Sequence, residues 1–216
     1  MKVLIIGANG QIGKHLVKLM QETESIHAKA MIRKEEQAAY FNNLGAETVL
    51  VDLEGEIEQI AAAANDVDAI VFTAGSGPKT GKDKTIMVDL DGAVKTIEAA
   101  KVAGVQRYIM ISSFDTTRTA IQEAPESFAP YVVAKHYADE WLRATNLDHT
   151  IIHPGMLTND EGTGQVTLAN TVEVGEVARE DIALVILETL KQDSTIGKEF
   201  QVVGGTTPIA EAIQSI

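Results

Sequence analysis

The sequence predicts a doubly wound parallel α/β sheet folded as one domain of 216 residues. Three observations carry that expectation. Short β-branched runs alternate with longer helical stretches along the whole chain. Several of the runs are nearly continuously apolar, as strands buried on both faces of a parallel sheet must be. A glycine-rich turn joins the first run to the first helical stretch, and repeated strand–helix–strand units close into such a sheet through right-handed crossovers.

Taken in order, strands are expected at Lys2–Ile6, His27–Ile32, Thr48–Val51, Ala69–Thr73, Arg107–Ile111, Thr150–His153 and Phe200–Val203. Between them, helices are expected at Gln11–Glu22, Lys34–Asn43, Glu56–Ala64, Asp83–Ala103, Pro130–Thr145 and Glu180–Lys191. Two stretches break the rhythm. Ser112–Ala129 reads as a loop rich in Ser, Thr and Asp and interrupted by Pro125. Pro154–Val174 reads as a small C-terminal substrate-side segment with a short hairpin through Val166–Leu168 and Thr171–Val174. Both follow strands, so both belong at the carboxyl edge of the sheet, where open α/β sheets bind ligands.

Composition narrows the function. Hydrophobic residues make up 45% and charged residues 23%, enough for a full core and too ordered a mixture for a disordered chain. The absence of cysteine removes disulfides, thiolate metal sites and a cysteine nucleophile together. With 18 Lys and Arg against 31 Asp and Glu, the net charge is -13. Such a chain is repelled by phosphate backbones and anionic lipid, so neither nucleic acid nor a membrane surface is an expected partner. The apolar run Val3–Ile6 stops at Gly7, too short for an export signal, and no stretch reaches the length of a membrane span. A cytoplasmic protein acting on a small molecule is expected, with monomer and homodimer both open.

Gly7-Ala8-Asn9-Gly10-Gln11-Ile12-Gly13 follows the first strand and opens the first helix, a GxxGxxG variant of the dinucleotide fingerprint. Gly7 permits the tight exit, Gly10 lets backbone approach a pyrophosphate, and Gly13 lets the helix pack close to the sheet. Free N–H groups around Gln11 and Ile12, with the helix dipole behind them, would hold the anion. A P-loop is rejected, because Gly13-Lys14 is followed by His15 and Gly81-Lys82 by Asp83.

An NAD site places an acidic residue about 20 positions on, to hold the ribose 2′-hydroxyl. That offset from Gly13 lands on Arg33, whose guanidinium suits a 2′-phosphate. NADP(H) is therefore expected over NAD(H). Asp52 and the Leu53 backbone fall near the adenine, although Asp52 equally reads as an N-cap for the next helix. Thr73-Ala74-Gly75 is small enough for close approach to the nicotinamide ribose, while Gly75-Ser76-Gly77-Pro78 also reads as a plain turn.

Tyr131 and Lys135 stand four residues apart at the start of a helix, on one face. The preceding strand ends in Ser112-Ser113, bringing hydroxyls to the same edge. With these residues in view, the chain resembles the short-chain dehydrogenase/reductase superfamily, in its atypical NAD(P)H-binding branch related to sugar epimerases and to flavin or biliverdin-type reductases. The resemblance rests on Gly7–Gly13, Arg33, Val51-Asp52-Leu53, Met110-Ile111-Ser112-Ser113, Tyr131 to Lys135, Ile151-Ile152-His153-Pro154-Gly155 and Val177-Ala178-Arg179-Glu180-Asp181. It spans almost the whole chain.

The resemblance implies a Rossmann-type fold, Tyr131 as acid/base, Ser113 on the reacting oxygen, and Lys135 lowering the Tyr131 pKa while holding the nicotinamide ribose. Ser112, Pro154 and Gly155 are implied on the cofactor side. The family's Arg-Pro-Gly is His153-Pro154-Gly155 here, and His153 reads more simply as a hydrogen-bonded structural residue. No metal is indicated, since the histidines lack ligand spacing. Only 63 residues follow His153, which disfavours a large sugar-nucleotide substrate against a small carbonyl, quinone or flavin. The expected function is an NADP(H)-dependent reductase. A non-catalytic NADP(H) sensor and an epimerase- or dehydratase-like enzyme are the alternatives.

Overall fold

The computed structural model describes residues 1–77 and 80–216. The first half runs β1 (Lys2–Ile6), α1 (Gln11–Gln21), β2 (His27–Ile32), a 3-10 turn at Glu35–Gln37, α2 (Ala38–Asn43), β3 (Glu47–Leu50), α3 (Ile57–Ala64) and β4 (Ala69–Phe72). One long helical stretch follows. It begins as α4 (Lys82–Lys84), widens into a π-helical segment (Thr85–Gly92) and continues as α5 (Ala93–Ala103). The second half runs β5 (Arg107–Ile111), α6 (Arg118–Glu123), α7 (Ala129–Arg143), β6 (Asp148–Pro154), β7 (Met156–Thr158), β8 (Gln165–Ala169) and β9 (Glu176–Ala178). It ends with α8 (Arg179–Leu190), β10 (Lys198–Gly204), β11 (Thr207–Pro208) and α9 (Ile209–Gln214).

Nine strands form one sheet in the order β11-β8-β10-β6-β5-β4-β1-β2-β3. From β3 to β10 neighbouring strands are parallel. The chain starts at β1, runs out to β3, then returns past β1 to β4, so the order reverses between β1 and β4. That reversal opens the crevice where such sheets take their ligands. The doubly wound Rossmann-type sheet expected from the sequence is present.

Strand alternation divides the core into two layers. Val3 and Ile5 of β1 face one layer, with Ile12, Leu16, Val17 and Met20 of α1 and the apolar side of α8. Leu4 and Ile6 face the other, with Ile60 of α3, Ile97 of α5 and Leu142 of α7. Because both faces are covered, the central strands carry near-continuous apolar runs such as Val3–Ile6, Ala69–Phe72 and Tyr108–Ile111, which is why the sequence betrays them so readily.

Three local expectations need correction. The stretch 112–129 is not all loop, since Arg118–Glu123 is helical, with the Thr117 side chain accepting from the Ala120 N–H at 3.2 Å. The hairpin does not form. Instead β8 pairs antiparallel with β10, because Val166 is needed in the core, and Thr171–Val174 carries no strand. The helix over 83–103 is interrupted by π turns, and Gly92 ends them where a Cβ would lie 2.8 Å from Leu53 Cγ. Of the plain turn read at 75–78, Pro78 lies outside the described residues.

Candidate active site

The glycine turn leaves β1 with Gly7 at φ +87°, a left-handed conformation that disfavours any side chain. A Cβ there would also meet Ala74 N of the chain leaving β4, 2.5 Å away. Gly13 is pressed just as hard, since its Cβ would fall on the Gly7 carbonyl oxygen and on Ala8. Gly10 N donates to Gly7 O at 2.8 Å, closing the turn. Gly10 caps α1 with no side-chain hydrogen bond, and the first turn carries no acidic residue. With Asn9 and Gln11 both exposed beside it, the end of α1 presents bare N–H groups at the switch point. This suits a pyrophosphate.

Arg33 follows the end of β2 and is exposed. Gln37 Oε1 accepts from the backbone N–H groups of Arg33 and Lys34 at 3.1 and 3.2 Å, fixing the strand exit. Among the described residues no carboxylate pairs with the Arg33 guanidinium. Asp52 is exposed, and its Oδ1 accepts from the Glu54 N–H at 3.0 Å. It therefore holds a local turn, and the N-cap of α3 is Glu56 instead. The Thr73 hydroxyl is spent on the Ile6 carbonyl at 3.0 Å, leaving Ala74 and Gly75 as the uncommitted end of β4.

Tyr131 and Lys135 lie on α7, with Asp139 one further turn along the same face. A buried helical stripe normally holds apolar side chains, yet Lys135 is 2% exposed and Asp139 0%. The Lys135 ammonium donates to the Ile111 carbonyl oxygen at 2.8 Å, anchoring α7 to the end of β5. Burial lowers the Lys135 pKa, and Asp89 and Asp139 oppose that fall. The Tyr131 phenol is raised above its ordinary value by burial first, then by Asp89 and Asp139. The expected lowering by Lys135 is not what this arrangement produces, because burial and the charges of Asp89 and Asp139 raise the phenol while the ammonium is turned to Ile111. Phe128 lies against Tyr131 with ring centroids 5.2 Å apart.

The two serines separate. Ser112 is buried and donates to Asp139 Oδ2 at 2.7 Å, joined there by the Thr116 hydroxyl at 2.8 Å. Ser113 is only half-buried, and no described residue hydrogen-bonds its hydroxyl. Its carbonyl oxygen lies 2.7 Å from His153 Nδ1. Pro154 closes β6, and Gly155 is buried where a Cβ would strike the Gly175 carbonyl oxygen. Gly155 thus serves a close pass between chain segments.

Three groups were not singled out from the sequence. Asp89 and Asp139 bear on Tyr131 and Lys135, as above. Gln201 on β10 donates to the Phe114 carbonyl at 2.8 Å and accepts from the Val172 N–H at 3.0 Å, tying together the two irregular stretches. Beside them, Glu199 is held by Arg143 through two 2.7 Å contacts and lies 3.5 Å from His153 Nε2. Burial pushes Glu199 up, but Arg143 and His153 outweigh it and hold it near 2. Burial also opposes charge on His153, yet Glu199, Asp139 and the Ser113 carbonyl raise its pKa overall.

The linkage follows from those directions. Glu199 stabilises the fold above its ordinary 4.5 and loses that contribution as pH falls from 4.5 toward 2. His153 stabilises it below 6.5 and loses that contribution as pH rises through its higher folded value. The thermal midpoint of the protein should therefore exceed that of Glu199→Gln most between those limits, with the gap narrowing toward acid and toward alkali. A gap independent of pH in a melting series would contradict the ion network.

Residues 7–193 match the NAD(P)H-binding family. The chain belongs to that family. Over its whole length it is 50% identical to a protein of Bacillus subtilis (strain 168) that carries the name uncharacterized sugar epimerase YhfK, and it covers all of that protein. A solved structure from Bacillus halodurans, provisionally described as an NAD-dependent epimerase/dehydratase, is 41% identical with both chains fully covered and a TM-score of 0.94. The anaerobilin reductase ChuY from Escherichia coli O157:H7 shares the fold, with a TM-score of 0.81 at 23% identity over 94% of this chain and 97% of that one. The names these proteins carry are thus of epimerase, dehydratase and reductase types. Among the described residues of this chain no helix is long and apolar enough to cross a membrane.

Proposed function

We propose that this NAD(P)H-binding protein is an NADP(H)-dependent reductase of a small carbonyl, quinone or flavin-like substrate, with Ser113, Tyr131 and Lys135 as its working residues. The observation that carries the reading is the pairing on α7 of a half-buried Tyr131 with a fully buried Lys135, beside the free Ser113 hydroxyl. The cofactor would be held by the α1 turn at its pyrophosphate and by Arg33 at its 2′-phosphate. When bound in its reduced form it supplies a hydride from the nicotinamide.

The chain's own residues then manage the proton. Hydride arrival at a carbonyl carbon leaves charge on oxygen, and Ser113 stands ready to donate to that oxygen. Tyr131, kept protonated by burial and the neighbouring carboxylates, gives its proton to the same atom. Its raised pKa suits the donor of a reduction better than the base of an oxidation. Lys135 lies one turn away, where its ammonium anchors α7 at the end of β5 and would hold the nicotinamide ribose.

The name of the Bacillus subtilis relative favours a second reading, an epimerase that moves a hydride off a sugar and returns it. One experiment separates them. The protein is incubated with NADPH and, in parallel, carbonyls, quinones, flavins and sugar nucleotides, while cofactor absorbance and products are followed. Net NADPH consumption with a small acceptor is expected. Conversion of a sugar nucleotide without net consumption would establish the epimerase, and tight NADP(H) binding that alters a partner's binding, with no turnover, would favour a sensor.

A further inference from the structure

Among the described residues, two buried side-chain oxygens have no hydrogen-bond partner: Asp139 Oδ1 and Asp89 Oδ1. Asp139 is enclosed beneath the site by Ser112 and Thr116. Asp89 differs in position. It lies in the π-helical segment, is 0% exposed, and its Oδ2 accepts from the Ser76 N–H at 3.1 Å. Its Oδ1 lies 3.2 Å from where a Gly75 Cβ would be, so any side chain at Gly75 would crowd it. Gly75 is itself exposed at the carboxyl edge. The same carboxylate acts on both Tyr131 and Lys135.

The order of strands says what belongs there. β4 lies between β1, which leads into the phosphate turn, and β5, which is followed by Ser112 and Ser113. A dinucleotide reaching from one to the other passes the end of β4 with the sugar that follows its pyrophosphate. An ionised carboxylate only accepts hydrogen bonds, and it repels phosphate. A ribose hydroxyl is a donor of suitable chemistry.

We propose that Asp89 Oδ1 accepts a hydrogen bond from the ribose next to the nicotinamide, making Asp89 a cofactor-binding residue. This rests on the cofactor reading given above. The π turns are then what turn Asp89 toward α7, at a place where π bulges often serve function.

Calorimetric titration tests the assignment with three probes: NADP+, 2′-phospho-ADP-ribose, which keeps the second ribose, and 2′,5′-ADP, which lacks it. Should the protein prefer the unphosphorylated cofactor, NAD+, ADP-ribose and ADP replace them. Asp89→Asn should weaken the first two by about 10-fold or more, the loss expected of a hydrogen bond to a charged group, and leave the third unchanged. Gly75→Ala, whose Cβ would crowd Oδ1, should give the same pattern and serves if Asp89→Asn fails to fold. Unchanged binding of all three, or equal weakening of all three, overturns the proposal. A loss for NADP+ alone moves the contact to the carboxamide and also overturns it. If the unmodified protein binds no probe, the cofactor reading itself falls, and this assignment with it.

Discussion

Tyr131→Phe should lower turnover by about 10²–10⁴, the usual contribution of a positioned proton donor, while cofactor affinity stays within a factor of a few. The substitution deletes one hydroxyl and keeps the ring that lies against Phe128. The pyrophosphate turn and Arg33 are on other strands, so binding has no reason to change much. Lys135→Ala should damage both quantities, because it removes a buried ammonium that anchors α7 to Ile111 and would also hold the cofactor's ribose. Steady-state kinetics with fluorescence titration of NADPH separates the two effects. Full NADPH oxidation by Tyr131→Phe would remove Tyr131 from the chemistry, and solvent would then have to protonate a flavin- or quinone-like acceptor after direct hydride transfer.

Arg33→Asp should reverse or abolish a preference for NADPH over NADH. A charge-assisted contact to phosphate contributes about 1.5–3 kcal/mol, or roughly 10- to 150-fold in affinity. The guanidinium is exposed, with its backbone N–H held by Gln37, so replacing the side chain should leave the strand exit intact. The new carboxylate would repel a 2′-phosphate and accept from the free ribose hydroxyls of NADH. Paired titrations of both cofactors measure the ratio directly. Equal affinity of the unmodified protein for the two would end the claim that Arg33 selects NADP(H).

The parts of the molecule that were legible in advance are those where one physical signal dominates. Lys2–Ile6, His27–Ile32 and Arg107–Ile111 keep their expected limits because strands covered on both faces are written as apolar runs. The glycine turn was legible because Gly7 and Gly13 answer steric demands nothing else can meet. Asp139 left a usable trace, a second ionisable residue one turn beyond Lys135 on a face that must be buried. Asp89 left none, because a period of 3.6 residues assigns the wrong face inside π turns. Glu199, Arg143 and His153 meet only through the pairing of β6 with β10 and the packing of α7, contacts between positions up to 56 residues apart. The short α6 was overlooked although Thr117 is an ordinary N-cap. The hairpin was misread because local alternation cannot tell which neighbour a strand will choose.

Gln201 has a consequence for motion. Its amide joins the carbonyl of Phe114 to the N–H of Val172, from a strand inside the sheet. The two irregular segments are therefore not independent of one another. Displacing either one alone breaks a hydrogen bond at a half-buried amide and leaves the other segment still held. Releasing the side chain frees both at once. One amide on an inner strand thereby couples the two segments, which should shift and reseat as a single unit.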